Sequence, residues 1–204
     1  RRTTTMKKPR SRFPVPTLEE VPEDLRERMR AVEEKSGFVP NVFRVLAHRP
    51  EEFRAFFAYH DALMEREGGL TKGEREMIVV VTSAANHCLY CVVAHGAIAR
   101  IRERNPRLAD QLAVDHTRAD ITDRQKAMLD FALLVADKAA DIDEDDFEDL
   151  REHGFSDEEI WDIGAITSFF ALSNRMAGLT DMLPNDEFYA MGREARRPGP
   201  RLVK

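Results

Sequence analysis

The sequence predicts an all-α protein, and three observations lead to that prediction. Helix start and stop signals recur along the chain, apolar residues repeat at helical spacing, and no two segments read as neighbouring strands of a sheet. The 204 residues are 43% hydrophobic and 33% charged, which is typical of a globular protein large enough to bury a core. We therefore expect a bundle of helices.

The first three predicted helices are bounded by proline and glycine. Proline favours the first turn of a helix and glycine the residue after its end, so the first helix begins after Pro22 and ends at Gly37. A short helix is expected in "FVPNVFRVLAHRP", between two prolines. The third helix begins at Pro50 and ends at a glycine pair, and its phenylalanines predict a buried face.

Three later helices each begin with a capping box, in which two residues three apart exchange hydrogen bonds. The pairs are Thr71 with Glu74, Thr122 with Gln125, and Ser156 with Glu159. The run after the first box, "MIVVVTSAA", would also suit a buried strand, but its cap and length favour a helix. Two further helices are predicted in "CLYCVVAHGAIARIRER", before Pro106, and in "DEDDFEDLREHG".

The helical domain is predicted to span residues 17–185, with its candidate catalytic motif in 70–103. A disordered basic tail is expected in residues 1–16 and a C-terminal tail in residues 186–204. The segment "LTKGEREMI" also aligns with "ITDRQKAML", which suggests an internal helical repeat. Two similarly capped helices could produce the same match, so both explanations stay open.

Composition excludes several classes of protein. A formal net charge of −6 argues against nucleic acid as the main partner, because phosphate binding needs a basic surface. No apolar run approaches the roughly 20 residues that cross a bilayer, so no membrane is expected and a cytoplasmic location is the default. The two cysteines could form only one disulfide in a chain of this length, so the fold cannot depend on a framework of disulfides.

Both cysteines lie in the segment "ANHCLYCVVAHG". On a helix, Cys88, Cys91 and His95 project to one side, and Cys91 and His95 are one turn apart. The thiolate is the nucleophilic form of cysteine, and a helix N-terminus favours the anion while an imidazole can accept the proton. The register therefore favours a redox pair with Cys91 as the activated thiol.

Glu76 is the candidate for a second acid–base group. It lies in the otherwise apolar helix that precedes the cysteines. A tight turn near Asn86 would fold the two helices back on each other and bring Glu76 to the motif. A partly buried carboxylate at that place could shuttle protons.

Two other interpretations of the cysteines remain open. They could be small buried hydrophobic residues, or metal ligands together with His95 and either Glu76 or His87. A zinc site usually takes its second ligand pair from a distant part of the chain, where this sequence has no further cysteine.

For four other residues the sequence predicts a role outside the catalytic motif or leaves two roles open. His87 is expected in an exposed turn and Tyr90 in a packing role. Asn174 and Arg175 lie in the otherwise apolar segment "SFFALSNRMAG". They could bond one helix to another or line a pocket.

The pattern E-x11-C-x2-C-x3-H, formed by Glu76, Cys88, Cys91 and His95, resembles the signature of AhpD-like alkylhydroperoxidases in the carboxymuconolactone decarboxylase superfamily. The flanking segments "GFVPNVFRVLAHRPEEF" and "SFFALSNRMAG" resemble its peroxidase-related branch. The resemblance covers about residues 35–185. It departs at the two residues between the cysteines, Leu-Tyr here, where well-studied members have a histidine.

This resemblance implies an all-α fold and the reduction of organic hydroperoxides or peroxide without haem, flavin or another bound cofactor. It implies that Cys91 is the peroxidatic thiolate, that Cys88 resolves it to a disulfide, and that His95 and Glu76 form a proton relay. An external dithiol, lipoyl or thioredoxin-like, would reset the pair. Relatives with this fold also imply a homo-oligomer, either a trimer or a hexamer.

The sequence thus predicts a thiol-dependent peroxidase. A first alternative is a protein disulfide reductase or redox adaptor that uses the same cysteines on proteins. A second is an enzyme like carboxymuconolactone decarboxylase, or a helical assembly, in which the cysteines are inert.

Overall fold

Ten α-helices account for most of the chain between residues 11 and 193, which is the part that this computed structural model describes; that part contains no β-strand. The helices are α1 (Glu23–Ser36), α2 (Asn41–Leu46), α3 (Pro50–Met64), α4 (Lys72–Ala85), α5 (Leu89–Arg102), α6 (Leu108–Asp115), α7 (Asp123–Lys138), α8 (Glu144–Glu152), α9 (Asp157–Thr180) and α10 (Asp186–Ala190). The all-α prediction is confirmed. None of these helices is both long and apolar enough to cross a membrane.

The predicted capping boxes define where the long helices begin. Thr71 Oγ1 accepts the Glu74 N–H at 3.1 Å, and Glu74 Oε2 accepts the Thr71 N–H at 2.9 Å. The same reciprocal bonds start α7 and α9. A fourth box, which the sequence did not predict, starts α8 with Asp143 and Asp146.

Helix α4 lies at the centre of the fold and packs against α5, α7 and α9. Its run from Met77 to Val80 is at most 1% exposed, so the ambiguous β-branched segment is a buried helix. A helix that is apolar around its circumference needs neighbours on every side. α4 therefore lies in the middle of the main core. The two cysteines belong to a second apolar cluster, together with residues of α2, α5 and α10.

Buried Arg75 holds the loop that leads into α4. Its guanidinium donates to the carbonyl oxygens of Met64, Arg66 and Gly68 at 3.2, 2.6 and 2.8 Å. Buried carbonyl groups need such donors, so Arg75 fixes the start of α4 and with it the neighbouring residue Glu76.

The folded chain extends beyond the predicted C-terminal boundary of residue 185. Helix α10 lies in the predicted tail, and its buried Phe188 packs edge-on against Phe38 with ring centroids 5.0 Å apart. A helix of five residues shows too little periodicity to be recognised from sequence. Residues 194–204 of that tail lie outside the described residues.

At the other end, part of the predicted N-terminal tail contacts the domain. The Arg12 N–H donates to the Thr180 carbonyl at 2.8 Å, and the Arg12 guanidinium donates to the carbonyls of Gly178 and Leu179. These bonds satisfy carbonyl groups at the C-terminus of α9. Residues 1–10 lie outside the described residues.

Two further features are a helix that the sequence did not predict and a repeat that it did. Helix α6 was not predicted, because no side chain caps its start. The internal repeat stays a prediction: α4 and α7 share the same capping box and pack against each other, which two unrelated helices could also do.

Candidate active site

A tight turn between α4 and α5 sets the position of the cysteines. His87 adopts a left-handed φ of 54° and is exposed, as predicted for a turn residue. The Cys88 N–H donates to the Ser83 carbonyl at 2.9 Å. These features reverse the chain within three residues of the end of α4, so α5 runs back along α4.

Cys88 is the N-cap residue of α5. Its Sγ accepts the backbone N–H of Cys91 at 3.5 Å, in the place where a capping oxygen normally stands. The partial positive charge of a helix N-terminus favours an anion there. Both thiols are free and buried, with Cys88 7% exposed and Cys91 1% exposed.

The return of α5 along α4 brings His95 against Glu76. His95 Nδ1 lies 2.7 Å from Glu76 Oε2, and the two side chains are only 13% and 10% exposed. Phe170 of α9 packs edge-on against the imidazole, with ring centroids 4.7 Å apart. The carboxylate and the phenyl ring fix the orientation of the imidazole, which leaves Nε2 as the nitrogen able to exchange a proton elsewhere.

The two thiols differ strongly in pKa. The hydrogen bond from the Cys91 thiol is the largest of the effects that lower the pKa of Cys88 to about 7, and the Cys91 backbone N–H and the charge of His95 add to it against the opposing effect of burial. The same hydrogen bond, followed by burial, raises the pKa of Cys91 well above its usual range. The first proton therefore leaves from Cys88, and the Cys91 thiol donates to the resulting thiolate.

This order of ionisation is opposite to the one predicted from sequence. The sequence favoured Cys91 because His95 lies one helical turn beyond it. In the structure Cys88 holds the N-cap position and accepts the backbone donor, and the charge of His95 lowers the pKa of Cys88. Spacing alone does not reveal which of two cysteines caps a helix.

Helix α9 contributes two polar residues to the site. Ser173 Oγ lies 3.9 Å from Cys91 Sγ. Asn174 donates through Nδ2 to Ser83 Oγ at 2.9 Å and accepts from Asn86 Nδ2 at 3.0 Å. The Asn174 side chain also lowers the pKa of both cysteines.

The two polar residues predicted in α9 thus have different roles. Asn174 bonds α9 to α4, as one of the two predictions stated, and it also lowers the pKa of both cysteines. Arg175 is exposed and donates to the Ala171 carbonyl of its own helix at 2.7 Å, so it takes no part in the site. Ser173 was not predicted, because a serine in an apolar helix more often bonds its own backbone.

Tyr90 is a packing residue, as predicted. Its hydroxyl oxygen accepts the Val42 N–H at 3.1 Å and so ties α2 to α5. Burial raises the pKa of the phenol, which stays protonated at neutral pH. Tyr90 thereby closes one side of the cysteine pair without offering a titrating group.

Residues 11–193 contain no group of three or more His, Cys, Asp or Glu side chains placed to hold a metal ion. The four predicted site residues form two contacting pairs on α4, α5 and the turn between them, Cys88 with Cys91 and Glu76 with His95. A separate apolar groove of about 700 Å³ lies between α3 and α9 and is lined by Phe56, Phe169 and Leu172 among others. The cysteines are not among its lining residues, so the groove and the thiol site occupy different faces of α9.

The chain is similar to several known proteins. The sequence model of the carboxymuconolactone decarboxylase family matches residues 50–107. An uncharacterised peroxidase-related protein from Ralstonia eutropha JMP134, described as an alkylhydroperoxidase AhpD core, is 65% identical, with a TM-score of 0.92 over 93% of this chain and 100% of that one. A peroxidase-related protein from Silicibacter sp. TM1040 is 41% identical, with a TM-score of 0.87 over 92% of this chain and 100% of that one.

A more distant likeness is confined to the fold. The debrominase Bmp8 is 21% identical, with a TM-score of 0.73 over 92% of this chain and 98% of that one. No match was found among curated proteins.

Because their pKa values differ, the two cysteines should differ in how their alkylation rates depend on pH. The rate at which iodoacetamide labels Cys88 should rise with pH and level off above about pH 7, because the thiolate is the reactive form. Cys91 should stay slow across the same range. Peptide mass spectrometry of the reduced protein, quenched at intervals from pH 5 to 9, measures both rates in one sample. Equal midpoints, or an earlier one for Cys91, would contradict the geometry.

Proposed function

This chain belongs to the AhpD-like proteins of the carboxymuconolactone decarboxylase superfamily, and from that premise we propose that it is a thiol-dependent peroxidase that reduces organic hydroperoxides. One observation carries the proposal. A cysteine with a lowered pKa caps a helix, next to a second thiol and a buried His95–Glu76 pair. This combination supplies a nucleophile, a resolving thiol and a proton donor.

The first step oxidises one sulfur. The Cys88 thiolate attacks an oxygen of the peroxide bond, so an S–O bond forms, the O–O bond breaks and Cys88 becomes a sulfenic acid. The departing alkoxide takes a proton from His95 and leaves as the alcohol. The hydroperoxide is reduced by two electrons and the sulfur is oxidised by two.

The second step joins the two sulfurs. Cys91 loses its proton and attacks the sulfenic sulfur of Cys88, so the disulfide forms and water leaves. An external dithiol, lipoyl or thioredoxin-like, then reduces this disulfide by thiol–disulfide exchange and is itself oxidised. No bound cofactor is needed for the cycle.

The order of the two cysteines here differs from the one that the family resemblance implies. That resemblance makes Cys91 the attacking sulfur and Cys88 the resolving one. We assign the attack to Cys88, because it ionises first and is the more exposed of the two. Cys91 is suited to resolution because its thiol already donates to the Cys88 sulfur.

Glu76 acts through His95 and is therefore a positioning residue. Its carboxylate holds Nδ1 of the imidazole at 2.7 Å and balances the positive charge of the protonated ring. That charge in turn lowers the pKa of Cys88. The pair thus serves both the ionisation of the thiol and the protonation of the leaving alkoxide.

A second candidate function is the reduction of protein disulfides. The same N-cap thiolate favours it, since a lowered thiol pKa also suits attack on a disulfide. Competition between cumene hydroperoxide and a disulfide substrate for the reduced pair distinguishes the two functions. The homo-oligomeric state, trimer or hexamer, and the cytoplasmic location stay predictions.

Serine variants test both the function and the order of the cysteines. With dithiothreitol or dihydrolipoamide as reductant, the reduced wild type should consume cumene hydroperoxide in many turnovers, and Cys88→Ser should abolish this. Cys91→Ser, reduced and then freed of the reductant, should consume one equivalent of hydroperoxide and hold a sulfenic acid at residue 88 that dimedone traps. Consumption no faster than that of the double serine variant would contradict the proposed function. A sulfenic acid found at Cys91 alone would contradict the proposed order.

The substitution Glu76→Gln should lower kcat/KM for hydroperoxide by about 10²-fold, because it removes the carboxylate that orients the proton donor His95, and a general acid contributes at least that much. It should also raise the pH at which the rate reaches its plateau, because the charge of His95, which Glu76 holds in place, lowers the pKa of Cys88. The pH profile distinguishes this effect from a structural one. Glu103→Gln, at a half-buried carboxylate near the other end of α5, is the matched control and should leave both values near those of the wild type.

A further inference from the structure

Ser173 uses its hydroxyl differently from two other residues of α9. A serine or threonine inside a helix commonly donates to the carbonyl oxygen four residues earlier, and Ser168 and Thr180 each do so at 2.8 Å. Within residues 11–193 Ser173 makes no bond of that kind, and its Oγ lies 3.9 Å from Cys91 Sγ instead. Its hydroxyl is therefore available to the sulfur rather than to its own helix.

The contact between Ser173 and Cys91 is shielded from water. Ser173 is 9% exposed and Cys91 is 1% exposed, so solvent offers little competition for either group. A hydroxyl can donate or accept a hydrogen bond, whereas a thiolate has no hydrogen and can only accept one. Once Cys91 ionises, the Ser173 hydroxyl must therefore be the donor of the pair.

Cys91 ionises at a greater cost than Cys88 does. The backbone N–H at the start of α5 donates to Cys88 Sγ at 3.5 Å. The hydrogen bond with Cys88, followed by burial, raises the pKa of Cys91 well above its usual range, and two side chains of α9, Asn174 and Ser173, act in the opposite direction. A hydrogen bond to the charged form of an acid favours that form. Ser173 thus reduces the cost of ionising the sulfur that the backbone N–H does not serve.

We infer that Ser173 is a further catalytic residue of the redox pair, whose hydroxyl donates to the Cys91 thiolate as this sulfur attacks the sulfenic acid of Cys88. In that step the S–S bond forms, the S–O bond breaks, and the departing hydroxide leaves as water with the proton that Cys91 lost. The part played in disulfide formation rests on the proposed peroxidase function. Donation to the thiolate of Cys91 concerns the reduced protein alone.

The pH midpoint of Cys91 alkylation tests this donor without any peroxide. In the full-length Cys88→Ser protein, which keeps Cys91 as its one cysteine, the added change Ser173→Ala should raise the midpoint by roughly 0.5–1 pH unit, as expected for the loss of one hydrogen bond. Ser168→Ala is the matched control, because it removes an exposed hydroxyl from the same helix. It should leave the midpoint within about 0.2 pH unit of the parent variant.

The other cysteine distinguishes a lost hydrogen bond from loosened packing. In the Cys91→Ser protein, Ser173→Ala should leave the alkylation midpoint of Cys88 within about 0.2 pH unit, because the contact of the hydroxyl is with Cys91. An unchanged midpoint of Cys91 would overturn the inference. An equal rise at Cys88, or an equal rise at Cys91 in Ser168→Ala, would also overturn it.

The rate of disulfide formation tests the part that depends on peroxide. After one equivalent of cumene hydroperoxide, Ser173→Ala alone should form the disulfide about 2–4-fold more slowly, since the loss of thiolate outweighs the greater nucleophilicity of a less acidic thiol. The hydroperoxide should disappear at the wild-type rate. Disulfide formation at the wild-type rate would overturn the role in resolution. A wild type that consumes no peroxide would refute the proposed function, and the alkylation midpoints would still decide whether Ser173 is a donor.

Discussion

The reversal of the chain between α4 and α5 is the constraint on which the site depends. The left-handed turn at His87 and the bond from the Cys88 N–H to Ser83 end one helix and start the next within three residues. That turn places Cys88 at a helix N-terminus, and the same reversal carries His95 back to Glu76. A longer loop between α4 and α5 would separate Glu76 from His95, so the N-cap position of Cys88 and the His95–Glu76 contact share one structural cause.

The pKa of each cysteine depends on which polar groups contact its sulfur inside an apolar cluster. The sulfurs are surrounded by the apolar cluster between α2, α5 and α10, which opposes ionisation. The hydrogen bond from the Cys91 thiol, the Cys91 backbone N–H and the charge of His95 offset that cost at Cys88, whereas the hydrogen bond between the two thiols and burial both raise the pKa of Cys91. Two cysteines of one motif thereby acquire different pKa values, and a difference of this kind suits one sulfur to attack and the other to resolve.

The sequence predicted the parts of this structure that depend on local signals. Capping boxes such as Thr71 with Glu74 locate helix starts, and helical register placed Cys88, Cys91 and His95 on one side of a helix. The order of ionisation was not predictable, because it depends on which cysteine occupies the N-cap and on where the charge of His95 acts. Ser173 was missed, and the bond from Asn174 to Ser83 could not be deduced, since both α9 residues contact partners more than 80 positions away along the chain. Helix α10 was too short to show a pattern.

The central claim is that Cys88 and Cys91 form a redox pair that reacts with hydroperoxide. The most direct test is to treat the fully reduced protein with one equivalent of cumene hydroperoxide and to measure the mass of the peptide that contains both cysteines. We predict a loss of two hydrogens, from an intramolecular disulfide between Cys88 and Cys91, in near-stoichiometric yield. Recovery of both cysteines as free thiols, with the hydroperoxide unconsumed, would contradict the claim.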